Sequence, residues 1–245
     1  MTRRARIAIF LPAIGIFAFL LFWGFAGLPD FGHYKGPYGF VLNRVATPER
    51  HMDNVVNAIT YDYRGFDTMG EEFILFAAVI GVVLLLRGSE QREAPADESI
   101  GSDLVRVFGT YAVAAVVLVG LWLVAFGFIT PGGGFQGGVV IAAGIVLVFL
   151  ASTYRAWSGI GNEHILDPFE GLGAGGYVVV GIAALISGLP FLTNLLGPGI
   201  AGTLWSGGSA PFVNWAAGIE VAAANLVLCS EYLEQYSSRL PRTVL

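Results

Sequence analysis

Residues 212–229 read FVNWAAGIEVAAANLVLC, a run in which Glu220 is the only charged side chain. A water-facing helix of this length needs a polar stripe, and this one has none. It reads as a membrane-crossing helix extending over 211–231. The whole chain supports that reading: 245 residues are 55% hydrophobic and only 13% charged, against about 25% charged in an ordinary globular domain. Five more apolar runs of crossing length follow, at 7–28, 66–86, 104–129, 137–154 and 171–192. The fold class expected is an all-α integral membrane protein of about six transmembrane helices.

The first run follows Arg3, Arg4 and Arg6, a start it shares with signal peptides. It is longer than a signal-peptide core and ends in Leu28-Pro29-Asp30 rather than in small residues, so a span is expected. The connection 29–66 is too charged to cross a bilayer. Within it Thr47-Pro48 offers an N-cap and a first-turn proline for a short surface helix over 47–59. The second span has an apolar core of only 73–86, so Asp67, Glu71 and Glu72 must be drawn toward the membrane edge to complete it. Residues 87–103, RGSEQREAPADESIGSD, combine charge with helix breakers and divide the chain into a two-span module, 1–95, and a four-span module, 96–245. With both termini cytoplasmic, Arg3, Arg4, Arg6, Arg87, Arg92, Arg106, Arg155, Arg239 and Arg242 lie inside; Lys35, Arg44, Arg50 and Arg64, all in one long loop, lie outside.

Several chemistries are excluded. A net charge of −5 split among loops offers no nucleic-acid-binding face. The single cysteine, Cys229, builds neither a disulfide framework nor a thiolate metal site, and His33, His51 and His164 lack ligand spacing. No metal site, cofactor or catalytic triad is therefore expected, and the chain does not read as an enzyme.

Four features carry candidate function. Glu220 lies about 12 Å along its helix from either end, near the bilayer middle, where a carboxylate costs roughly 2.5–3.5 kcal/mol unless paired or protonated. Its partner is expected to be Asn214, Asn225, a water, or a basic residue of another subunit; the site is either a proton carrier or a bond between helices. Asp67, Glu71 and Glu72 head the second span: Asp67 and Glu71 share a helix face, while Glu72 points elsewhere. They read either as a helix cap or as the entrance of an ion path. Glu170 opens the fifth span and reads as a cap. The run Thr130-Pro131-Gly132-Gly133-Gly134-Phe135-Gln136-Gly137-Gly138 satisfies G-x-G-x-x-G as text, yet no strand precedes it and no Lys-Ser/Thr follows, so it is a tight helix-to-helix turn rather than a nucleotide loop. Gly171 with Gly175, and Gly218 with Ala222, are spaced for close helix contacts.

The stretch Thr130 to Val139, TPGGGFQGGV, resembles the signature of the B subunit of Mrp/Mnh multi-subunit Na⁺/H⁺ antiporters, and the likeness extends over the four-span block 104–236. Upstream, Arg64-Gly65-Phe66-Asp67-Thr68-Met69-Gly70-Glu71 resembles a stretch near the C-terminal end of the antiporter's large A subunit; in membrane-bound hydrogenases the same piece resembles a separate small polypeptide of the complex. The resemblance implies a small subunit of a cation/proton antiporter complex in a prokaryotic plasma membrane. It implies other antiporter subunits as partners, including large antiporter-like ones, with membrane lipid around them and Na⁺ and H⁺ as the transported ions. Glu220, Asp67 and Glu71 are the candidates for proton or sodium handling, with Glu72 and Glu170 behind them, and the glycine run is expected to position helices or seal against a neighbour. The alternatives are the membrane arm of a hydrogenase or complex I-related oxidoreductase, and a pure scaffold.

Overall fold

A computed structural model describes residues 3–28, 32, 36–86, 102–151, 157 and 159–237. Most of the divider expected at 87–103 lies outside the described residues, as do Tyr154, Arg155, Arg239 and Arg242. The protein is an all-α integral membrane protein, with no strand among the described residues beyond a single antiparallel bridge between Gly199 and Ser206.

The chain forms two compact units, Met1–Val41 and Leu42–Leu245. The first is dominated by α1, Arg3–Ala26, whose apolar side chains are exposed all round, as a lipid-facing helix requires. α2, Pro37–Arg50, takes a proline at its first position. The surface helix expected over 47–59 is not formed. Thr47 and Pro48 instead fall in the last turn of α2, His51 at φ 54° ends it, and Asn54 caps a new one-turn helix, α3, Val55–Ala58, by accepting from the Asn57 N–H. A π-turn, Ile59–Tyr63, then leads into α4, Gly65–Leu86.

The remaining helices are α5, Asp103–Ala125, α6, Gly134–Ala151, α7, Glu163–Ile186, and α8, Ala210–Ser237. Among the described residues, five helices are long and apolar enough to cross a membrane; of the six spans expected, the fourth is the shorter apolar segment Gly134–Phe149. Two boundaries differ from expectation for local reasons. α6 begins inside the glycine run, at Gly134, and α7 begins eight residues before the expected 171, because Asn162 caps it by accepting from the His164 N–H. Glu170 is thus two turns inside α7 and buried, so the cap reading fails.

α8 is the central helix, flanked by α4, α5, α6 and α7. Small residues allow this. A Cβ on Gly138 of α6 would stand 2.8 Å from the Gly218 carbonyl, and one on Gly173 of α7 would stand 2.6 Å from Glu220 Cα. Gly171 and Gly175, the pair expected to make a close contact, have nothing within 4 Å and look away from the bundle.

This difference is testable by thermal unfolding of the full chain in detergent. Gly138→Ala is expected to cost about 1–3 kcal/mol through overpacking. Gly171→Ala is expected to be neutral or to gain up to about 1 kcal/mol from helix propensity.

Candidate functional site

At the end of the bundle where α4, α6 and α8 begin, the backbone leaves helical geometry in three places: around 51–64, 126–133 and 187–209. Each break frees backbone groups that need partners in a low-dielectric setting. Three asparagines supply them. Asn54 Nδ2 donates to the carbonyls of Gly127, Thr130 and Gly132 at 2.7, 3.1 and 3.2 Å. Asn214, fully buried on α8, donates through Nδ2 to the Val124 carbonyl near the end of α5, and its Oδ1 accepts from the Gly134 N–H at 2.7 Å and from Asn57 Nδ2 at 3.1 Å. Asn194 accepts from Ser209 and donates to Asp62 and the Gly207 carbonyl, tying the third break to the first. Arg50 adds an ion pair to Asp62 at 3.4 Å and stacks on the Tyr63 ring.

Beneath this layer lie two carboxyl groups. Glu72 on α4 and Glu220 on α8 are both 0% exposed. Each is close enough to act on the other electrostatically, no basic group among the described residues acts on either, and none of the four carboxyl oxygens has a hydrogen-bond partner there. Neither asparagine expected beside Glu220 serves it. Asn214 is committed to the backbone breaks, and Asn225 donates to the Val221 carbonyl of its own helix. The partner of Glu220 is another acid.

Around the pair stand hydroxyl groups. Tyr177 of α7, fully buried, donates to the Gly65 carbonyl at 2.9 Å. Thr68 donates to the Thr60 carbonyl at 2.6 Å. Tyr61 of the π-turn lies between Glu72 and the backbone of Gly134 and Phe135; burial first, and then the charge of Glu72, push its phenol above the ordinary tyrosine range, so it remains a protonated donor.

The other acids expected at the site are more dispersed. Asp67 is exposed in the first turn of α4, where Arg64 Nε donates to it at 2.6 Å and the two form an ion pair. Glu71 shares that exposed face and rims a small cleft. Glu170 is buried on α7. It stands one turn from Gly173, which lies against Glu220, hence about 5 Å from it along the helix axis. The glycine run seats α6 on α8 through Gly134 and Gly138, and on α5 through Gly137. Sequence reasoning misses Asn54, Asn57, Tyr61 and Tyr177, and it does not single out Glu72 from its acidic neighbours. One signal is available: Gly65, Thr68, Glu72 and Val79 recur at helical intervals and together form the buried face of α4.

Residues 104–227 match the family described as a domain related to the MnhB subunit of Na⁺/H⁺ antiporters, and residues 38–107 match MbhE, the family of the E subunit of MBH. An uncharacterised protein of Methanocaldococcus jannaschii is 29% identical over 229 residues, covering 81% of this chain and 86% of that one. A probable K⁺/H⁺ antiporter A/B subunit of Rhizobium meliloti is 30% identical over 168 residues, covering 58% of this chain and 16% of that one. Among solved structures, a chain of the membrane-bound sulfane sulfur reductase, an archaeal respiratory membrane complex, superposes with a TM-score of 0.68 at 28% identity, covering 94% of this chain and 98% of that one.

The asparagine layer and the Tyr61 phenol can each be tested. Asn214→Leu leaves the Gly134 N–H, the Val124 carbonyl and Asn57 without their partner; it is expected to cost at least about 2 kcal/mol in thermal unfolding, whereas Asn225→Ala, which loses one bond within its own helix, costs less than about 1 kcal/mol. The raised Tyr61 phenol means that the unfolded chain loses this proton near its ordinary value of 10.0 while the native state keeps it. Its contribution is therefore full below pH 10.0 and lost as pH rises toward the native value. The fall in thermal midpoint above that pH is expected to be shallower in Tyr61→Phe than in the wild type.

Proposed function

The chain belongs to the family of domains related to the MnhB subunit of Na⁺/H⁺ antiporters, and from that premise we propose that it is a membrane subunit of a multi-subunit monovalent cation/proton antiporter in a prokaryotic plasma membrane, where it works beside large antiporter-like subunits. The observation that carries this reading is the buried Glu72–Glu220 pair. Two carboxyls side by side in an apolar interior do not both ionise, so they hold a proton to share and to pass on. Tyr61 and Tyr177 stand on the Gly65 side of the pair as hydroxyl relays, and Glu170 stands on the opposite side, about one turn of α7 before Gly173. With the orientation favoured by the arginine distribution, the Gly65 side is outside and Glu170 leads inward. Asp67, held by Arg64, fixes the entry turn of α4 and keeps an acidic surface at the mouth of the path.

A single chain built this way lacks the basic relay of a complete exchanger, so the transport belongs to the assembly, with Na⁺ and H⁺ as the ions moved. Its N-terminal half supplies Glu72, in the region that matches the E subunit of MBH, and its C-terminal half supplies Glu220, in the MnhB-related region, which accords with a fusion of two modules. A second reading, the membrane arm of a respiratory oxidoreductase whose redox centres sit on other chains, is favoured by the nearly full-length likeness to a chain of the sulfane sulfur reductase complex.

Cation-dependent ΔpH dissipation in everted vesicles containing the whole complex tests the proposal, with assembly followed on native gels. Glu72→Gln and Glu220→Gln are each expected to lower the rate at least about tenfold with assembly intact, and Asp67→Asn to lower it less. Normal transport in both glutamine variants overturns the assignment of the pair and leaves a scaffold. Co-purification of redox subunits instead of large antiporter-like ones decides for the second reading.

A further inference from the structure

Asn57 and Asn214 form a side chain to side chain amide contact whose orientation is dictated from one end. Asn214 Oδ1 accepts from the Gly134 N–H and its Nδ2 donates to a carbonyl, so neither atom is interchangeable. Asn57 must then present Nδ2 to Asn214 Oδ1, which turns its own Oδ1 away. That oxygen is buried, on a residue 2% exposed, and has no donor among the described residues. An amide acceptor left in this state costs about 1–3 kcal/mol unless something positive meets it.

Asn57 lines a cleft of about 40 Å³ between the π-turn, the start of α4 and the glycine run, shared with Thr60, Tyr61, Thr68, Glu71 and Gln136. Of the hydroxyls there, Tyr61 keeps a proton to give, while the two threonines have theirs committed elsewhere. Thr60 Oγ1 gives its proton to the carbonyls of Val56 and Asn57, and Thr68 Oγ1 gives its proton to the Thr60 carbonyl, so both hydroxyls offer only lone pairs to the cleft. The cations nearest in sequence are spoken for, Arg64 by Asp67 and Arg50 by Asp62, which leaves the Glu71 carboxylate at the rim as the charge of the cleft. Hard oxygens with a single carboxylate match a hard cation of single charge; a divalent ion asks for more acid than is present. The volume exceeds the roughly 10–15 Å³ that a single water needs, so a small cation fits with water beside it. The backbone is broken on both sides, as at cation sites formed by interrupted membrane helices.

We propose that this cleft is a binding site for a monovalent alkali cation of Na⁺ size, held by Asn57 Oδ1, Thr60 Oγ1, Thr68 Oγ1, Gln136 Oε1 and the Glu71 carboxylate. The proposal rests on the antiporter reading and deepens it. Tyr61 borders both the cleft and Glu72, so a cation arriving at Glu71 sits one side chain away from the proton held by the buried pair. Arrival of positive charge there favours release of that proton, which is the coupling an exchanger needs.

The test uses two readouts. On the purified full chain, Na⁺ is expected to protect Glu71 from carbodiimide modification while choline does not, with K⁺ and Li⁺ as further arms; Thr68→Val is expected to raise the protecting Na⁺ concentration at least about tenfold. In vesicles containing the complex, Glu71→Gln and Gln136→Leu are expected to raise the half-saturating Na⁺ concentration about tenfold while the maximal rate stays within about threefold. Equal protection by choline, or an unchanged half-saturating Na⁺ concentration in Glu71→Gln, overturns the site. If that happens while Glu72→Gln still abolishes transport, the cation site fails and the antiporter reading stands. If Na⁺ protects Glu71 specifically but neither buried glutamate matters for transport, the site stands and the assignment of the pair fails.

Discussion

The side chain of Asn214 is the constraint on which the rest of the structure depends. Three segments leave helical geometry at one end of the bundle, and the groups they free lie beside apolar helices where water is scarce. One amide closes a carbonyl of α5, the first N–H of α6 and the amide of Asn57, and it does so from the helix that touches all its neighbours. The glycine run makes this possible. With no Cβ at Gly134, α6 can start close enough to α8 for its first N–H to reach an oxygen of Asn214. A side chain there would displace the helix, strand the N–H and break the network at its centre.

Committing the amides to the backbone has a consequence for the acids. Glu220 is surrounded by groups already engaged, and the neighbour it meets is Glu72. A carboxyl given an arginine or lysine would be a fixed ion pair, costly to discharge. A carboxyl given only another carboxyl has no fixed ion pair to break, and Gly173 of α7 lets that helix lie directly against the Glu220 backbone. The same division of labour operates in the upper layer, where Arg50 and Arg64 serve Asp62 and Asp67 near the surface, and among the described residues no cation acts on Glu72 or Glu220.

The class of fold is legible from the apolar runs alone, because a bilayer imposes a length that composition cannot disguise. Helix ends are less legible. Asn162 and Asn54 each start a helix through a local cap, but so does Thr47-Pro48 on paper, and only the left-handed His51 and the tertiary use of Asn54 decide between them. Glu220 stands out because it is alone in an apolar run. Glu72 does not, because it sits among Asp67 and Glu71, and the run of acids hides which one turns inward until the rotation of α4 against α8 is known. The roles of Asn57 and Asn214 are beyond reach for a similar reason: an amide's role is set by the far end of its hydrogen bonds, 157 residues away in sequence.

The placement of the two acids bears on why they occupy one chain. Glu72 falls within the region that matches a family described as a subunit in its own right, and Glu220 within the region related to MnhB. Were the two regions separate polypeptides, the pair would exist only after assembly, and each half alone would carry a buried acid with nothing beside it. Covalent linkage replaces that bimolecular step by an intramolecular one and holds the two acids at a one-to-one ratio. The extensive packing of α4 on α8 and α7 within Leu42–Leu245 is what such an arrangement requires, since the pair is built by tertiary contact and not by the linker. The close approach of Gly173 to Glu220 shows where that tertiary contact leaves no room for a larger side chain.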